Sequence, residues 1–402
     1  MDIIVLDGNE NQAVAAVRSL ASAGHHVTVG SSAPWSKAGW SRGCSATFGY
    51  PSPQNGIDAF VDAVAQAVKR RHQPLVLPMT ERTTLPLSAM RARLQAAGAQ
   101  FVLPAHDVVL RAFDKRRTTE LARSLGIRVP ETIEITSAEC AESIASTLPY
   151  PVVLKPSTSE EWTSSGTRAT GAPLYARDEG EFRTAYTRMS ARCGSVLVQE
   201  FIEGSGVGYF ALMRHGDLRA EFAHRRLRDV RPTGSGSSLR VSTTADPRIR
   251  SAALSLLEAL DWHGVAMVEF RQQDDGTPVF LEINGRFWNS LALAVYAGAN
   301  FPAWVAELAA SGDVTAPAPY RPGVRCRWFL GDARHLIEVF RGRPVGYPGR
   351  FPQRLETLGS FLLPVVGTRH DNFMWNDPLP ELGDWLDFLG RRLPTALQGK
   401  SA

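Results

Sequence analysis

The sequence predicts a protein of α/β and α+β class, in which a doubly wound parallel sheet at the N-terminus precedes a region of mixed strands and helices. The first observation is a β-α-β unit, formed by an apolar strand at 3–7, a helix at about 12–23 that Gly24 ends, and a strand at 27–30. The second is size, because 402 residues with 44% apolar content suit two to four globular domains. The β-α-β unit lacks the G-x-G-x-x-G pattern and therefore gives little support to a dinucleotide site.

The later elements follow from apolar runs, helical periodicity and breaker residues. They are, in chain order, a helix at 57–71, a strand at 74–78, a helix at 84–97, a strand at 101–104, helices at 106–125 and 178–192, a strand at 196–201, strands near 207–213 and 218–224, a helix near 246–261 and an apolar helix at 288–310. We expect domains at 1–105, 106–195 and 196–312, and a C-terminal extension at 313–402. The extension carries no motif, and it is expected to cover the active site or to make a dimer contact.

A hairpin near residue 275 holds the most informative side chains. Two apolar strands, 265–270 and 279–286, flank a polar turn with Asp-Gly and Pro. Alternation along the second strand places Glu282, Asn284 and Arg286 on one face, and the neighbouring strand sets Glu269 opposite them. Two carboxylates and an amide oxygen suit Mg²⁺ held against phosphate, and an arginine beside them suits an anion. The alternative is a surface hairpin with solvated charges.

Lysine is rare in this chain, so its positions carry information. Only five of the 44 basic residues are lysines. Lys155 ends the apolar run 150–154 and precedes a stretch rich in Ser, Thr and Gly, which is a phosphate-binding arrangement. Lys115 lies at the start of a helical pattern. Each lysine alone is weak evidence, and their order relative to the hairpin gives them weight.

Together these residues resemble those of the ATP-grasp ligases. The resemblance covers about residues 1–310 and comprises Lys115, Lys155 with Pro156, the strand leading into 199–204, Glu269 and the E-x-N-x-R pattern ending at Arg286. It implies a two-lobed ATP-grasp fold that clamps Mg-ATP between its lobes.

The resemblance also implies residue roles. Lys115 would meet the α-phosphate side, and Lys155 would contact the phosphates and the adenine edge. Glu269, Glu282 and Asn284 would bind Mg²⁺, with Mn²⁺ as an alternative, and Arg286 would contact the reacting phosphate or acyl group. The segment 199–202 would hold adenine through main-chain groups, and the loop 157–171 would form a lid over the triphosphate. The further nucleotide-binding candidates are Ser164, Ser165, Gly166, Gln199, Glu200, Phe201, Ile202 and Glu203.

One position departs from the family pattern. Several members place an acidic residue where this chain has Gly206, and that acid holds the ribose. Glu203 is the candidate substitute.

An arginine-rich strand supplies further substrate-binding candidates. The run 224–228 leads into a Gly/Ser loop at 232–240, and it includes Arg226, with Arg240 at the end of the loop. Guanidinium groups beside loop N–H groups can hold a carboxylate or an acyl phosphate. The alternative is an exposed, Arg-rich edge strand. His224 is the nearby candidate general base, although a lone histidine is more often structural.

Composition argues against other classes of function. The arginines are spread along the chain without interleaved aromatic residues, so we expect no nucleic-acid partner. No apolar stretch reaches the length of about 18 residues that spans a bilayer, and the N-terminus does not read as a signal peptide. The four widely spaced cysteines form neither a zinc motif nor a disulfide framework. We therefore expect a cytoplasmic protein without membrane partners, with a homodimer as an option.

Together with the resemblance, these observations predict an ATP-dependent ligase that joins a small-molecule carboxylate to an amine, and the activation of the carboxylate is what the resemblance implies. Arg226, Arg240 and Arg286 would steady an acyl phosphate, and ADP and phosphate would be released. The alternatives are a bicarbonate-activating enzyme of the biotin carboxylase or carbamoyl phosphate synthetase type, and a nucleotide-binding regulator without turnover.

Overall fold

The N-terminal domain is built on a parallel four-stranded sheet of order β3-β2-β1-β4. The computed structural model describes residues 1–163, 166–363 and 365–390. Its first elements are β1 (Asp2–Val5), α1 (Asn11–Ser22), β2 (His26–Ser31), β3 (Ala46–Gly49), a 3-10 turn (Pro53–Asn55), α2 (Ile57–Lys69), β4 (Leu75–Leu77), α3 (Glu81–Ala89) and α4 (Arg91–Ala96). Strand β1 is central and its apolar side chains are buried, as a parallel strand covered by helices requires. The predicted sheet is therefore confirmed.

Three predicted elements differ from the structure. The helix at 84–97 is two helices that meet at Met90, and residue 100 makes only an isolated bridge to Leu75 where a strand at 101–104 was expected. The helix at 106–125 is also two, α5 (His106–Phe113) and α6 (Lys115–Ser124). They separate at Asp114, whose carboxylate accepts hydrogen bonds from the amides of Arg116 and Arg117 and so starts a new helix.

The next lobe is a small antiparallel sheet with a separate hairpin. Its elements are β5 (Thr132–Ile135), α7 (Ala138–Ala145), β6 (Val152–Pro156), β7 (Glu160–Thr163), β8 (Gly166–Ala169), β9 (Leu174–Ala176), α8 (Glu179–Ser190) and β10 (Val196–Glu200). The sheet order is β5-β10-β6-β9, and β7 pairs with β8 alone. Strand β10 pairs with β5 and β6, so a lobe boundary at residue 196 is wrong, because this strand completes the small lobe.

The central lobe is a seven-stranded sheet of order β15-β14-β11-β12-β13-β16-β17. It comprises β11 (Ser205–Arg214), β12 (Asp217–Arg231), β13 (Ser235–Ser242), α9 (Pro247–Ala259), β14 (Gly264–Gln272), β15 (Pro278–Asn284), α10 (Leu291–Ala297) and α11 (Phe301–Ser311). The predicted helix at 288–310 is thus two helices, separated by Gly298 in a left-handed conformation. One face of the sheet packs with the N-terminal domain through Phe210 and Met267, and the other face packs on α9 through Tyr209 and Val268.

The C-terminal segment joins the central sheet. It contains β16 (Arg325–Arg327), α12 (Phe329–Arg341), α13 (Arg354–Leu362), β17 (Arg369–His370) and α14 (Leu379–Gly390). Strand β16 pairs with β13, so the extension predicted to begin at residue 313 supplies two strands of the central sheet. Buried polar contacts also tie it to the N-terminal domain, including an ion pair of 2.8 Å between Arg18 and Asp377.

Within the described residues, no single helix is long and apolar enough to cross a membrane. Helices α10 and α11 would meet that length and composition only as a pair, and they are bent by 85° at the break between them.

Candidate active site

A cavity of about 490 Å³ lies between the small lobe and the central sheet. Strands β6 and β10 provide one wall, with Val153, Lys155 and Gln199, and the hairpin β14–β15 provides another, with Glu269 and Glu282. Lys115 closes the same space from the start of α6. The structure thus brings together charged residues from 115 to 282 that the sequence singled out separately.

The two predicted carboxylates face each other across the hairpin. Glu269 and Glu282 are register partners on β14 and β15, and a bulge follows them because Leu281 has no partner of its own. Burial alone would raise the pKa of Glu282, but Lys115, Lys155, a hydrogen bond from Asn284 and the charge of Arg286 lower that pKa to about 2. The Glu282 carboxylate is therefore ionised at neutral pH.

The two lysines approach this carboxylate from the opposite lobe. Lys115 Nζ lies 3.4 Å from a Glu282 oxygen and donates a hydrogen bond to Ser159 Oγ at 3.0 Å. The amide of Lys115 also donates to the carbonyl of Ser157, the residue that follows β6. This bond fixes the start of α6 against the end of that strand. Burial lowers the pKa of Lys155 to about 8, although Glu282 acts in the opposite direction. Both ammonium groups are placed to meet an anion in the cavity.

Arg226 reaches the carboxylates by crossing a neighbouring strand. Its side chain extends from β12 over β11 to Glu269, with Nη2 2.7 Å from the carboxylate. A Cβ atom at Gly206 would lie 2.8 Å from Arg226 Cδ, so the glycine makes this path available. The residue that departs from the family pattern therefore has a steric role here.

Arg240 does not line the cavity, although it is the register partner of Arg226. Its guanidinium is fully buried and makes two hydrogen bonds of 2.8 and 3.0 Å to Asp371 of the C-terminal segment. It also donates to Ser237 Oγ at 2.9 Å and to Asn289 Oδ1 at 3.3 Å. The structure gives no support to the predicted contact of Arg240 with an acyl phosphate, because its donors are directed at a buried carboxylate.

Arg286 and Asn284 lie at the end of β15, beside the cavity lining. Arg286 Nη2 donates to Asn284 Oδ1 at 3.0 Å and lies 3.9 Å from a Glu81 oxygen in the N-terminal domain. Asn284 Nδ2 donates to Glu282 Oε1 at 3.2 Å. Arg286 thus joins the metal-site candidates to the N-terminal domain.

The predicted nucleotide-binding segment divides at residue 202. Gln199, Glu200, Phe201 and Ile202 all line the cavity. Glu203 lies outside its lining and is 3.7 Å from Arg350, so the structure gives no support to its role at a ribose. Gly166 is also outside the lining, because β8 packs on the carbonyls of Pro53 and Gln54. Ser164 and Ser165 lie outside the described residues.

His224 is buried and does not open to the cavity. Its Nε2 lies 2.8 Å from Ser290 Oγ, and its ring packs 4.7 Å from that of Phe210. Burial, aided by Arg226 and Arg240, holds the pKa of His224 well below its usual value. These contacts are those of a structural histidine.

Glu269, Glu282 and Asn284 are the candidate ligands of a divalent cation. Glu269 and Glu282 offer opposed carboxylates on the cavity wall, which suit Mg²⁺ when phosphate and water complete its shell. As placed, the Asn284 oxygen is engaged by Arg286, so Asn284 must turn to act as a ligand. Among the described residues, no group of three or more His, Cys, Asp or Glu forms a protein-only metal site. The two carboxylates therefore fit a metal that arrives with a phosphate ligand.

Several lining residues were missed by the sequence reasoning. Arg271 was assigned to a polar turn, but β14 continues through it, and its Nη1 donates to the Gly204 carbonyl at 2.8 Å. Tyr175 packs edge-on against Phe201 at the small-lobe wall. Trp328 and Arg334 come from the C-terminal segment, where no local pattern marks them. Only Arg271 could have been found from the sequence, because the strand pattern of β14 continues to Gln272 and includes it.

Comparisons with known proteins point to one family. Residues 192–331 match the family model described as "ATP-grasp in the biosynthetic pathway with Ter operon". The chain is 26% identical over 243 residues to the carbamoyl phosphate synthase large chain of Methanospirillum hungatei, covering 58% of this chain and 22% of that one. It is 29% identical over 186 residues to D-alanine–D-alanine ligase of Nitrosospira multiformis, covering 43% and 56%. The chain thus spans about a fifth of the first relative and about half of the second.

A solved structure has the same fold. The biotin carboxylase domain of Hydrogenobacter thermophilus 2-oxoglutarate carboxylase, a dimer in complex with MgADP, ADP and bicarbonate, superposes with a TM-score of 0.63 at 16% identity. The match covers 80% of this chain and 72% of that one. The N-terminal parallel sheet and the antiparallel lobes thus have the fold of that solved structure, and residues 192–331 match an ATP-grasp family model.

Proposed function

We propose that this protein is an ATP-dependent ligase, which activates a carboxylate as an acyl phosphate and couples it to an amine. The observation that carries the proposal is the cluster of Glu269, Glu282, Lys115 and Lys155 around one cavity. Two carboxylates that suit Mg²⁺, facing two ammonium groups that suit phosphate, match the needs of phosphoryl transfer.

The residues act by position and charge. Lys155 and Lys115 hold the phosphates of ATP against the hairpin, and main-chain groups of 199–202 hold the adenine. The substrate carboxylate attacks the γ-phosphorus in line, so that ADP leaves and an acyl phosphate forms. Arg226, which pairs with Glu269, and Arg286, which donates to Asn284, steady the charge on the transferred group. The amine, as its free base, then attacks the acyl carbon. The C–O bond to the phosphate breaks, inorganic phosphate leaves with that oxygen, and the nitrogen loses a proton to the departing phosphate as the amide forms.

Magnesium is the expected metal, with manganese as an alternative. Glu269 and Glu282 would hold it, and it would supply charge neutralisation at the β- and γ-phosphates. The MgADP in the Hydrogenobacter structure supports a metal-bound nucleotide in this fold.

Bicarbonate activation is the second candidate. The similarity to carbamoyl phosphate synthase favours it, and so does the similarity to a biotin carboxylase domain that was solved with bicarbonate bound. The similarity to D-alanine–D-alanine ligase favours the amide-forming reaction.

The formation of a homodimer by this protein stays a prediction.

The test is a screen for phosphate release with Mg-ATP over pairs of carboxylates and amines, with bicarbonate as a separate arm and mass spectrometry of the products. The proposal expects phosphate release that requires one organic acid and yields an amide. Release that requires bicarbonate alone would select the second candidate. Nucleotide binding without release in any arm would contradict both.

A further inference from the structure

A second cavity, of about 310 Å³, adjoins the first. Trp328 and Arg334 of the C-terminal segment line both cavities, so the two spaces share a wall. Its other walls come from the loop before α1, from Asn289 after the hairpin and from α14. A molecule bound there would therefore lie next to the Mg-ATP site.

Most polar groups on this wall already have partners. Lys37 Nζ is 2.7 Å from Asp384, whose other oxygen accepts from Trp328 Nε1 at 2.6 Å. Asn289 Oδ1 accepts from Asn11 Nδ2 at 3.1 Å. Lys37 and Asp384 are both buried, so these contacts fix the shape of the cavity without a ligand.

Glu10 differs from its neighbours. It lines the cavity, and its carboxylate makes no hydrogen bond or ion pair with another described residue. Burial raises the pKa of Glu10, and Asp7 acts in the same direction, whereas Lys37, Arg82 and Arg286 lower that pKa without reversing the shift. Glu10 therefore lies within electrostatic reach of the hairpin. Glu10 is half-buried, and a ligand that brings a positive charge and N–H donors would supply the partner that this partly enclosed carboxylate does not have among the described residues.

We propose that the second cavity binds the amine substrate, with its ammonium group paired to Glu10. The volume and the polar wall suit a small, hydrophilic primary amine. The proposal rests on the proposed ligase function, and it assigns the C-terminal segment a part in building the acceptor site.

The test uses ethanolamine as the amine probe and ethylene glycol as its neutral counterpart. Binding to the full chain with Mg²⁺ and a non-hydrolysable ATP analogue is measured by ligand-observed NMR for the wild type, Glu10→Gln, Glu10→Asp and Glu258→Gln. Glu258 is exposed on α9 and serves as the matched control. Melting curves check that each variant folds.

We expect ethanolamine to bind the wild type and Glu258→Gln alike, at least tenfold more weakly to Glu10→Gln, and with intermediate affinity to Glu10→Asp. Ethylene glycol should not compete. Equal affinity for Glu10→Gln, or no binding to the wild type, would overturn the proposal. If Glu10→Gln does not fold, the comparison of Glu10→Asp with Glu258→Gln decides.

The outcome separates this inference from the ligase function. Glu10-dependent ethanolamine binding without ATP turnover would count against the ligase and leave the amine site standing. If the enzyme turns over ATP but ethanolamine binds the wild type and the Glu10 variants equally, the result would count against the amine site alone.

Discussion

Arg226 and Arg240 are register partners on adjacent strands, yet they have opposite surroundings. Arg226 extends over Gly206 towards the cavity and pairs with Glu269. Arg240 is fully buried and pairs with Asp371, which lies 131 residues further along the chain. The two side chains have the same chemistry and face the same side of the sheet, so the partner that each one meets decides its role.

The difference separates charges that serve a ligand from charges that hold the fold. The first group lines the cavity and is proposed to exchange its present partners for phosphate and metal: Arg226, Glu269, Glu282, Lys115 and Lys155. Arg240, Arg18 and Lys37 hold the C-terminal segment on the rest of the molecule through Asp371, Asp377 and Asp384. Substitutions in the two groups should therefore have different consequences for stability and for activity.

Arg240→Ala should lower the free energy of unfolding by about 3–5 kcal/mol, because it leaves the buried Asp371 carboxylate without its partner. Arg226→Ala should lower it by only about 1–2 kcal/mol, because Glu269 borders a cavity. Urea denaturation of both variants measures the difference. Equal losses of stability would remove the distinction between the two arginines.

Glu282→Gln should reduce turnover by about 100- to 1,000-fold, because it removes half of the carboxylate pair that is proposed to hold the metal against the phosphates. Steady-state ADP release measures it. Glu203→Gln is the matched control, since Glu203 lies outside the cavity lining, and it should retain nearly full activity. A Glu282→Gln enzyme as active as the control would exclude a metal role for Glu282.

Lys155→Ala should weaken ATP binding by about 10- to 100-fold, the effect of losing one or two charge-assisted hydrogen bonds. Calorimetry gives the dissociation constant. Lys69→Ala is the control, because Lys69 is exposed at the end of α2. An unchanged dissociation constant for Lys155→Ala would place this lysine outside the nucleotide site.

Glu381 provides a pH-dependent test of the anchoring charges. Burial, followed by the nearby Asp384, raises the pKa of Glu381 to about 7. Because the folded pKa exceeds the unfolded one, the native state binds more protons, and stability falls as pH rises from about 4.5 to 7. Glu381→Gln should therefore stabilise the protein at pH 8 by about 1 kcal/mol, after allowance for partial exposure, and should have little effect at pH 4. Melting temperatures at both pH values measure this, and an equal shift at both would contradict the assignment.

The sequence predicted the parts of the site that depend on local patterns. Alternation in the hairpin gave Glu269 and Glu282 a common face, and the lysines were marked by their rarity and by the apolar strand before Lys155. The N-terminal sheet was predicted from short apolar runs that end near glycine residues. A strand of a buried parallel sheet is recognisable because it is almost continuously apolar.

Local patterns could not reveal what distant contacts decide. The partner of Arg240 comes from β17 and the loop after it, so the arginine-rich run looked like a substrate-binding strand. Trp328 and Arg334 reach the cavities only because β16 adds to the central sheet, and a run of three strand residues is too short to predict that pairing. The helix break at Asp114 depends on a capping bond that competes with continued helix.

The proposed function requires that the cavity directs charge stabilisation to the γ-phosphoryl group. The most direct measurement is the identity of the nucleotide product when hydroxylamine is added with Mg-ATP and the carboxylate that supports phosphate release. Ion-exchange chromatography separates the nucleotides, and a ferric assay detects the hydroxamate. The account predicts ADP in amounts equal to the hydroxamate, and AMP with pyrophosphate as the stoichiometric products would contradict it.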